Sequence, residues 1–182
     1  CYLLTQISLP CGKLFVNKND EAFILFYKQQ YSKLCGYAIN CGVNVESAQD
    51  IVQELFAKLY SKPFLIKNAD TLQSFLFTSV RNATVNWLTY SSRNENVQNM
   101  EIFNFDYTVE ITDVEDAEER KVLKEKVDKV LRLLTPRQKE MIYLRFLHEM
   151  EYEEVAGIMG LSEQAARNLT YRAIKKIRKE YK

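Results

Sequence analysis

Hydrophobic residues recur three or four positions apart along much of the chain, with polar residues on the opposite side. Three segments in the first half show this pattern: "DEAFILFYKQQYSKLCGYAIN", "VESAQDIVQELFAKLYSKP" and "TLQSFLFTSVRNATVNWLTYSSR". Such spacing predicts amphipathic helices. We expect Gly42 to end the first helix and Pro63 to end the second. The predicted inward positions are Phe23, Phe26, Tyr27, Tyr31, Leu34 and Ala38, then Ala48, Ile51, Val52, Leu55, Phe56 and Leu59, then Leu72, Phe75, Leu76, Val80 and Trp87.

The helical pattern is lost after Arg93 and resumes near Asp116. In "TPRQKEMIYLRFLHE", Thr135 can cap a helix, Pro136 suits its first position and Gln138 completes a capping box. The segment "EYEEVAGIMG" and a final helix follow. We find no convincing strand pattern, and the sequence contains only five glycines and three prolines. The sequence therefore predicts an all-α fold.

Charge divides the chain into three parts although its net charge is only +1. Residues 1–93 contain nine Lys/Arg and six Asp/Glu, whereas residues 94–119 contain nine Asp/Glu and no Lys/Arg. Residues 120–182 contain sixteen Lys/Arg and nine Asp/Glu. This partition predicts two small helical domains, 1–93 and 120–182, joined by a flexible acidic linker, 94–119, in which Phe103, Phe105 and Tyr107 could dock on another part of the protein. Two basic domains on an acidic linker suggest a polyanionic partner.

The residues that support catalysis or metal binding are scarce. The four cysteines all lie in the first quarter of the chain, and the one histidine, His148, is distant in sequence, so a zinc site has few ligands. We expect Cys35 and Cys41 to be buried thiols in a cytosolic protein. No glycine-rich phosphate loop or nucleophile beside a base is evident. We therefore expect neither enzymatic activity nor a cofactor. The opening segment lacks the pattern of a signal peptide.

The segment "GLSEQAARNLTYRAIKKIRKEYK" predicts a tight turn followed by a helix with a basic outer face. Gly160 suits a left-handed turn position, and Ser162 can cap the next helix. A short helix, a tight turn and a second helix form a helix-turn-helix arrangement. Arg and Asn can bond bidentately to guanine and adenine. The predicted outward residues are Glu163, Gln164, Arg167, Asn168, Tyr171, Arg172 and Lys175, and the predicted inward residues are Ala166, Leu169, Ala173, Ile174 and Ile177. The predicted phosphate contacts are Lys175, Lys176, Arg178 and Lys179. The alternative is a solvated helix with a basic end.

The two halves together resemble the extracytoplasmic-function (ECF) sigma factors of bacterial RNA polymerase. The segments "DEAFILFYKQQYSKLCGYA", "AQDIVQELFAKLYSK" and "SFLFTSVRNATVNWL" are similar to sigma region two, and "LTPRQKEMIYLRFLHEMEYEEVAGIMGLSEQAARNLTYRAIKKIRK" is similar to region four. The resemblance covers roughly residues 20–178. It implies a protein that binds core RNA polymerase and directs promoter-specific transcription initiation in the bacterial cytoplasm.

The resemblance also implies roles for individual residues. The polymerase-binding residues would be Asp50, Gln53 and Glu54, on a helix that docks on the β′ clamp helices. The minus-ten residues would be Ile66, Lys67, Asn68, Arg81, Asn82 and Asn86, with a flipped base held in the loop at 65–70. The minus-thirty-five residues would be Gln164, Arg167, Asn168, Tyr171, Arg172 and Lys175. Region four would also bind the β flap, and the acidic linker would run towards the RNA path. The expected partners are core polymerase, promoter DNA and an anti-sigma factor, which can hold such a protein at the membrane, with no small-molecule substrate.

Two local departures from the family limit what can be carried over. Gln164, Ala165 and Ala166 stand where Gly-Thr-Val is common, and Glu151 replaces a small capping residue. The helices should tolerate both changes, whereas the base preference cannot be copied. Residues 1–19 have no family role. The main alternative is a conventional helix-turn-helix regulator with an unrelated helical N-terminal domain. A helical scaffold would explain the amphipathic helices but not the promoter-reading face.

Overall fold

The chain folds into two helical units in the computed structural model, which describes residues 20–62, 72–94, 104–108 and 115–180. Unit 1 covers residues 1–100 and unit 2 covers residues 101–182. The described helices of unit 1 are α1 (Asp20–Asn40), α2 (Val45–Ser61) and α3 (Leu72–Asn94). Those of unit 2 are α4 (Ala117–Leu133), α5 (Pro136–Ile142), α6 (Tyr152–Met159) and α7 (Glu163–Glu180). No strand occurs in these described ranges, as the all-α prediction requires.

Unit 1 is a bundle in which α1, α2 and α3 pack against one another. Phe56 on α2 lies at the centre of an aromatic cluster with α1, its ring centroid 4.8 Å from that of Tyr27 and 6.0 Å from that of Phe26. Tyr37 and Phe77 join α1 to α3 at 4.9 Å. Such edge-on aromatic contacts add to the burial of apolar surface. The sequence pattern did not mark Phe77, which is fully buried.

The short connection between α1 and α2 follows the predicted helix signals. Gly42 ends α1 with a φ of 107°, a left-handed backbone region that favours glycine. Asn44 then caps α2, because its Oδ1 accepts a hydrogen bond of 2.8 Å from the Ser47 backbone N–H. Cys35 and Cys41 are buried thiols, as expected, and burial raises the pKa of Cys35. Cys1 and Cys11 lie outside the described residues.

Unit 2 consists of shorter helices whose ends are capped by side chains. Asp116 Oδ1 accepts hydrogen bonds from the backbone N–H groups of Glu118 and Glu119, so it begins α4. Thr135 and Gln138 form the predicted capping box at the start of α5. After Ile142 the helix widens into a π-helical turn, Tyr143–Leu147, which the sequence pattern did not predict. Helix α7 packs against α4, α5 and α6.

The segment Asn104–Thr108, which the sequence assigns to a flexible linker, packs against unit 2. Phe105 is 0% exposed and Tyr107 7% exposed, and their ring centroids lie 5.3 and 5.1 Å from that of Tyr143. Asp106, which lies between these two aromatic residues in the sequence, forms an ion pair with Lys139 Nζ. Burial, with a smaller contribution from Tyr143, raises the pKa of Tyr107 to about 12. Two of the three aromatic residues that could dock, Phe105 and Tyr107, therefore pack into an apolar site on unit 2, whereas Phe103 lies outside the described residues.

The end of the predicted acidic linker is helical, as the return of the helical pattern near Asp116 predicts. Helix α4 begins at Ala117, inside the 94–119 range. Glu118 and Glu119 belong to the first helical turn, where their charges face the positive end of the helix dipole. Acidic residues in this part of the chain therefore stabilise a helix start. The predicted domain boundaries at 93 and 120 stay predictions.

Candidate nucleic-acid interface

A tight turn joins α6 to α7 and sets the direction of the last helix. Gly160 has a φ of 64° and ends α6 in the predicted left-handed conformation. The backbone N–H of Leu161 donates to the Ala156 carbonyl oxygen at 2.8 Å, which is the longer hydrogen bond of a Schellman ending. The Ala165 backbone N–H donates to Ser162 Oγ at 3.2 Å, so Ser162 caps α7 as expected. These residues therefore form the helix-turn-helix arrangement.

Helix α6 begins at an unusual cap. Glu151 stands at the N-cap position, and its backbone N–H donates to Glu154 Oε2 at 2.8 Å. Glu154 thus satisfies one of the backbone donors that a helix start leaves unpaired. The helix forms without a short capping side chain, as the sequence analysis expected.

One face of α7 is packed and the other is exposed. Ala166, Thr170 and Ala173 are buried, whereas Leu169, Ile174 and Ile177 are half-buried. The six residues of the predicted minus-thirty-five set are all exposed: Gln164, Arg167, Asn168, Tyr171, Arg172 and Lys175. Their spacing of three, one, three, one and three places them on one side of the helix. The helix therefore presents two amides, a phenol ring and three cations together, a set that suits both base edges and phosphates.

The two residues proposed to read bases are held by neighbours one turn earlier in α7. Arg167 Nε donates to Glu163 Oε1 at 3.0 Å, and Arg167 Nη2 donates to the same oxygen. Gln164 Nε2 donates to Asn168 Oδ1 at 3.3 Å. These i,i+4 contacts restrict side chains that would otherwise sample many rotamers.

Arg137 is a candidate DNA-binding residue that the sequence analysis missed. It lines a shallow depression of about 240 Å³ whose other walls include Asn168 and Arg172. Arg137 follows Pro136 in the first turn of α5, where the Thr135 cap fixes its position. The cap was visible in the sequence, but the proximity of this turn to α7 depends on tertiary packing. The depression adds a cation from another helix to the exposed face of α7.

Lys176 differs from its neighbours among the predicted phosphate contacts. Its Nζ donates to the Leu133 carbonyl oxygen at 3.4 Å and to Gln138 Oε1 at 3.3 Å. The ammonium group therefore joins α7 to the end of α4 and the start of α5. A cation near the last carbonyl groups of a helix is favourable. Lys176 is itself exposed, as are Lys175, Arg178 and Lys179, so it differs from them only in these hydrogen bonds.

The predicted polymerase-binding residues of unit 1 share one exposed face of α2. Asp50, Gln53 and Glu54 are all exposed. Glu54 Oε1 forms an ion pair of 2.7 Å with Lys58 Nζ, and Gln53 hydrogen-bonds to Tyr31 of α1. Burial raises the pKa of Tyr31, and the bond from Gln53 opposes that shift.

A groove of about 280 Å³ lies between α2 and α3, beside this face. Ile51, Leu55 and Phe75 line its apolar part, and Glu54 and Lys58 also line it. Ile51 and Leu55 are half-buried at this groove. The predicted apolar positions of α2 therefore include residues beside those that are fully buried. The face therefore combines exposed polar groups with accessible apolar surface.

The predicted minus-ten residues are described only in part. Asn82 and Asn86 are exposed one turn apart on α3, whereas Arg81 is half-buried. Ile66, Lys67 and Asn68 lie outside the described residues. The sequence analysis considered core positions for Phe75 and Trp87, and both are half-buried.

Searches of the described residues for two other kinds of site gave nothing. Within residues 20–62, 72–94, 104–108 and 115–180, no group of three or more His, Cys, Asp or Glu side chains could hold a metal ion. The helices in these ranges are also too short or too polar to span a membrane.

Comparison with known proteins shows which class of protein these two units resemble. Residues 124–177 match the family "Sigma-70, region 4", which covers the helix-turn-helix. The RNA polymerase sigma factor SigV of Bacillus subtilis is 28% identical over 154 residues, covering 84% of this chain and 84% of that protein. The ECF RNA polymerase sigma-E factor of Haemophilus influenzae is 26% identical over 162 residues, covering 85% of each. The chain is therefore similar over most of its length to RNA polymerase sigma factors, and its residues 124–177 match their region 4.

A solved sigma-factor structure shares the fold of this chain. The sigma factor RpoE of Bartonella quintana, solved in complex with the anti-sigma factor NepR, matches with a TM-score of 0.60 at 20% identity. That match covers 86% of this chain and 94% of RpoE. The all-α prediction is therefore confirmed by the helices themselves and by the fold of a sigma factor.

Proposed function

We propose that this ECF-type sigma factor divides promoter recognition between its units, with α7 of unit 2 reading the minus-thirty-five element. The observation that carries the proposal is the single exposed face of α7, on which all six predicted residues lie. A recognition helix needs one packed face to fix its position and one polar face to enter the major groove. Helix α7 has both.

Different residues of this helix are proposed to read bases and to bind phosphates. Arg167 and Asn168 are the candidates for base edges, because their side chains can form paired hydrogen bonds with guanine and adenine. Arg172, Lys175 and Tyr171 are candidates for backbone contacts, which set position and orientation. Arg137 extends this cationic surface from α5. We include it in the proposed interface.

The proposed role of unit 1 is to bind core polymerase and the minus-ten element. Asp50, Gln53 and Glu54 would contact the β′ clamp helices, and the groove beside them offers apolar surface to the same partner. Asn82 and Asn86 would contact DNA near the melting point. Preferential binding of the unpaired strand would shift the duplex equilibrium towards the open state without a catalytic group. The roles of Ile66, Lys67 and Asn68 rest on the family resemblance alone.

Regulation by an anti-sigma factor is part of the proposal. RpoE, which shares this fold, was solved with the anti-sigma factor NepR. A protein that covers the faces of α2 and α7 would block polymerase and promoter together. We propose that the sigma factor acts in the bacterial cytoplasm and that an anti-sigma factor can retain it at the membrane. Contact of unit 2 with the β flap completes the set of proposed partners.

The alternative, a conventional regulator with an unrelated N-terminal domain, is not favoured. The relatives match 84–85% of the chain and therefore include the helices of unit 1 as well as the helix-turn-helix. A regulator would bind a specific duplex by itself. A sigma factor gains promoter specificity when it joins core polymerase.

Transcription from a randomised promoter library tests the proposal. Purified core polymerase is incubated with the library with and without the full chain, and the transcripts are sequenced. We expect defined start sites only when the chain is added, with two upstream sequence elements enriched. A chain that neither binds core polymerase nor changes its transcripts, but binds a specific duplex alone, would support the regulator instead.

A further inference from the structure

Tyr152, at the start of α6, contacts two guanidinium groups from different elements. Its ring centroid lies 5.1 Å from Arg145 Cζ and 4.6 Å from Arg167 Cζ. Arg145 belongs to the π-helical turn and also donates to the Met150 carbonyl oxygen at 3.0 Å. Arg167 is on the exposed face of α7. The ring therefore links a fixed arginine of the scaffold with a candidate base-reading arginine through cation–π contacts.

Glu163 constrains Arg167 from a second direction. Its Oε1 accepts from both Nε and Nη2 of Arg167, while Arg167 Cζ lies over the Tyr152 ring. Because Nε and one N–H of Nη2 are engaged, the edge formed by Nη1 and Nη2 is left for another partner. No described residue hydrogen-bonds to Nη1. Glu163 therefore holds the edge of the guanidinium group formed by Nε and Nη2, and the Tyr152 ring lies next to the group. The edge formed by Nη1 and Nη2 is available to another partner.

The free edge has the shape that guanine requires. Guanine presents N7 and O6 in the major groove, and an arginine fork can donate to both at once. Contact with an aromatic ring uses the face of the guanidinium group and leaves its N–H groups in the plane. Arg167 is exposed on the face of α7 that we propose binds DNA, so its guanidinium group is accessible to a base.

From this arrangement we infer that Glu163 and Tyr152 are positioning residues that orient Arg167 to read a guanine end-on in the minus-thirty-five element. The inference rests on the proposed function of α7 and names the base class that it recognises. Holding the side chain in advance lowers the ordering cost of binding, which is roughly 0.5–1.5 kcal/mol for a long side chain and corresponds to a two- to tenfold effect on affinity. This gain in affinity concerns only the base that Arg167 would contact.

The test measures base preference at each promoter position with core polymerase and the full-length chain. Arg167→Ala should remove the preference for guanine at one position of the minus-thirty-five element. Glu163→Ala and Tyr152→Leu should each weaken the same preference by roughly two- to tenfold, while other positions keep theirs. Tyr152→Phe retains the ring face and should behave like the original chain. The double variant Glu163→Ala/Arg167→Ala should resemble Arg167→Ala alone, because the two residues act through one contact.

Glu153→Ala is the matched control, since it also removes an exposed carboxylate from the first turn of a helix. Thermal unfolding and binding to core polymerase establish that each variant is folded. A purely structural role of Glu163 or Tyr152 would change these quantities, or total activity, without changing the preference at the Arg167 position.

Each other outcome overturns a defined statement. If Arg167→Ala changes no base preference, then the base-reading role proposed for Arg167 fails. If Arg167→Ala relaxes one position but Glu163→Ala and Tyr152→Leu leave it intact, only the positioning role is overturned. If Glu163→Ala relaxes a different position, then Glu163 itself reads a base. If it raises activity with an unchanged profile, then Glu163 opposes DNA binding instead of positioning Arg167.

Discussion

The candidate interfaces of the two units differ in how clearly their side chains indicate the kind of partner that would bind there. The exposed face of α7 combines cations with amides, whereas the face of α2 carries Asp50, Gln53 and Glu54 beside an apolar groove. DNA is a regular polyanion, so a protein surface that binds it needs cations and hydrogen-bond donors. A protein surface that binds another protein can use the same acidic and apolar residues as an ordinary solvated helix. Side-chain chemistry therefore indicates the DNA-binding face more directly than the polymerase-binding face.

The units also differ in what holds them together. Unit 1 relies on three long helices that pack mutually, with aromatic contacts around Phe56. Unit 2 relies on shorter helices, several caps, and the docking of Phe105 and Tyr107 onto Tyr143. Stability in unit 2 therefore depends on residues distant from its helices in sequence. The following changes test this contrast, with each unit serving as a reference for the other.

Phe105→Ala should have the largest effect. Removing a fully buried phenylalanine should lower the free energy of unfolding of unit 2 by about 3–5 kcal/mol. Native-state hydrogen exchange of the full chain can measure the two units separately. Protection should fall in unit 2 and stay unchanged in unit 1. Tyr90→Ala, at a position 68% exposed, is the control and should have little effect. Equal loss of protection in both units would contradict the contrast.

The double variant Arg167→Ala/Asn168→Ala should separate DNA reading from polymerase binding. Each base contact discriminates by about 1–3 kcal/mol, so transcription from a selected promoter should fall about 100-fold. Affinity for core polymerase, measured by fluorescence competition, should stay unchanged. Lys124→Ala removes an exposed cation of α4 and should leave both quantities intact. A parallel loss of polymerase binding would show that the α7 face is not specific to DNA.

Alkaline pH should destabilise unit 2 through Tyr107. Below pH 10.0 the phenol is neutral in both states, so its contribution to stability is complete. Above that pH the unfolded state ionises first, and stability falls until the folded-state pKa of about 12 is reached. The loss should reach up to about 3 kcal/mol.

Urea unfolding of the full chain and of Tyr107→Phe at about pH 9 and about pH 11 measures this contribution. The difference in unfolding free energy between the two proteins should change with pH, because only one has the phenol. A constant difference would mean that ionisation of Tyr107 does not affect folding.

Glu54→Lys should have the smallest of these effects. Reversing a charge at the edge of a protein interface should weaken core polymerase binding roughly five- to tenfold at low salt and less at high salt. Base preferences should not change in the promoter library. Glu21→Lys makes the same charge change at an exposed position of α1 and is the control. If both variants weaken binding equally, the effect comes from net charge and not from the α2 face.

Local signals in the sequence predicted most of the helix boundaries and the exposed face of α7. Thr135, Pro136 and Gln138 form a capping box from adjacent residues, and Gly160 ends α6 as its backbone freedom suggests. The outward side of α7 follows from helical spacing alone. These features depend on contacts within one turn, and the residues involved are visible together in the sequence.

Apart from the π-helical turn, the features that sequence reasoning missed depend on contacts between elements. Lys176 has the same local pattern as the exposed Lys175, but α7 packs it beside the end of α4. Arg137 becomes part of the candidate interface only when α5 lies against α7. The contact between Tyr152 and Arg167 joins two helices across a turn. No periodic pattern in a single sequence encodes these distances.

The docked segment Asn104–Thr108 decides where the second half of this protein can be cut for use by itself. The match to the family "Sigma-70, region 4" begins at residue 124, inside α4, and the first described helix of unit 2 begins at Ala117. A fragment or chimera built from either point would lack Phe105 and Tyr107 and would leave the apolar site around Tyr143 open to solvent. Such an exposed patch favours aggregation. A fragment that contains unit 2 alone should therefore begin no later than Asn104.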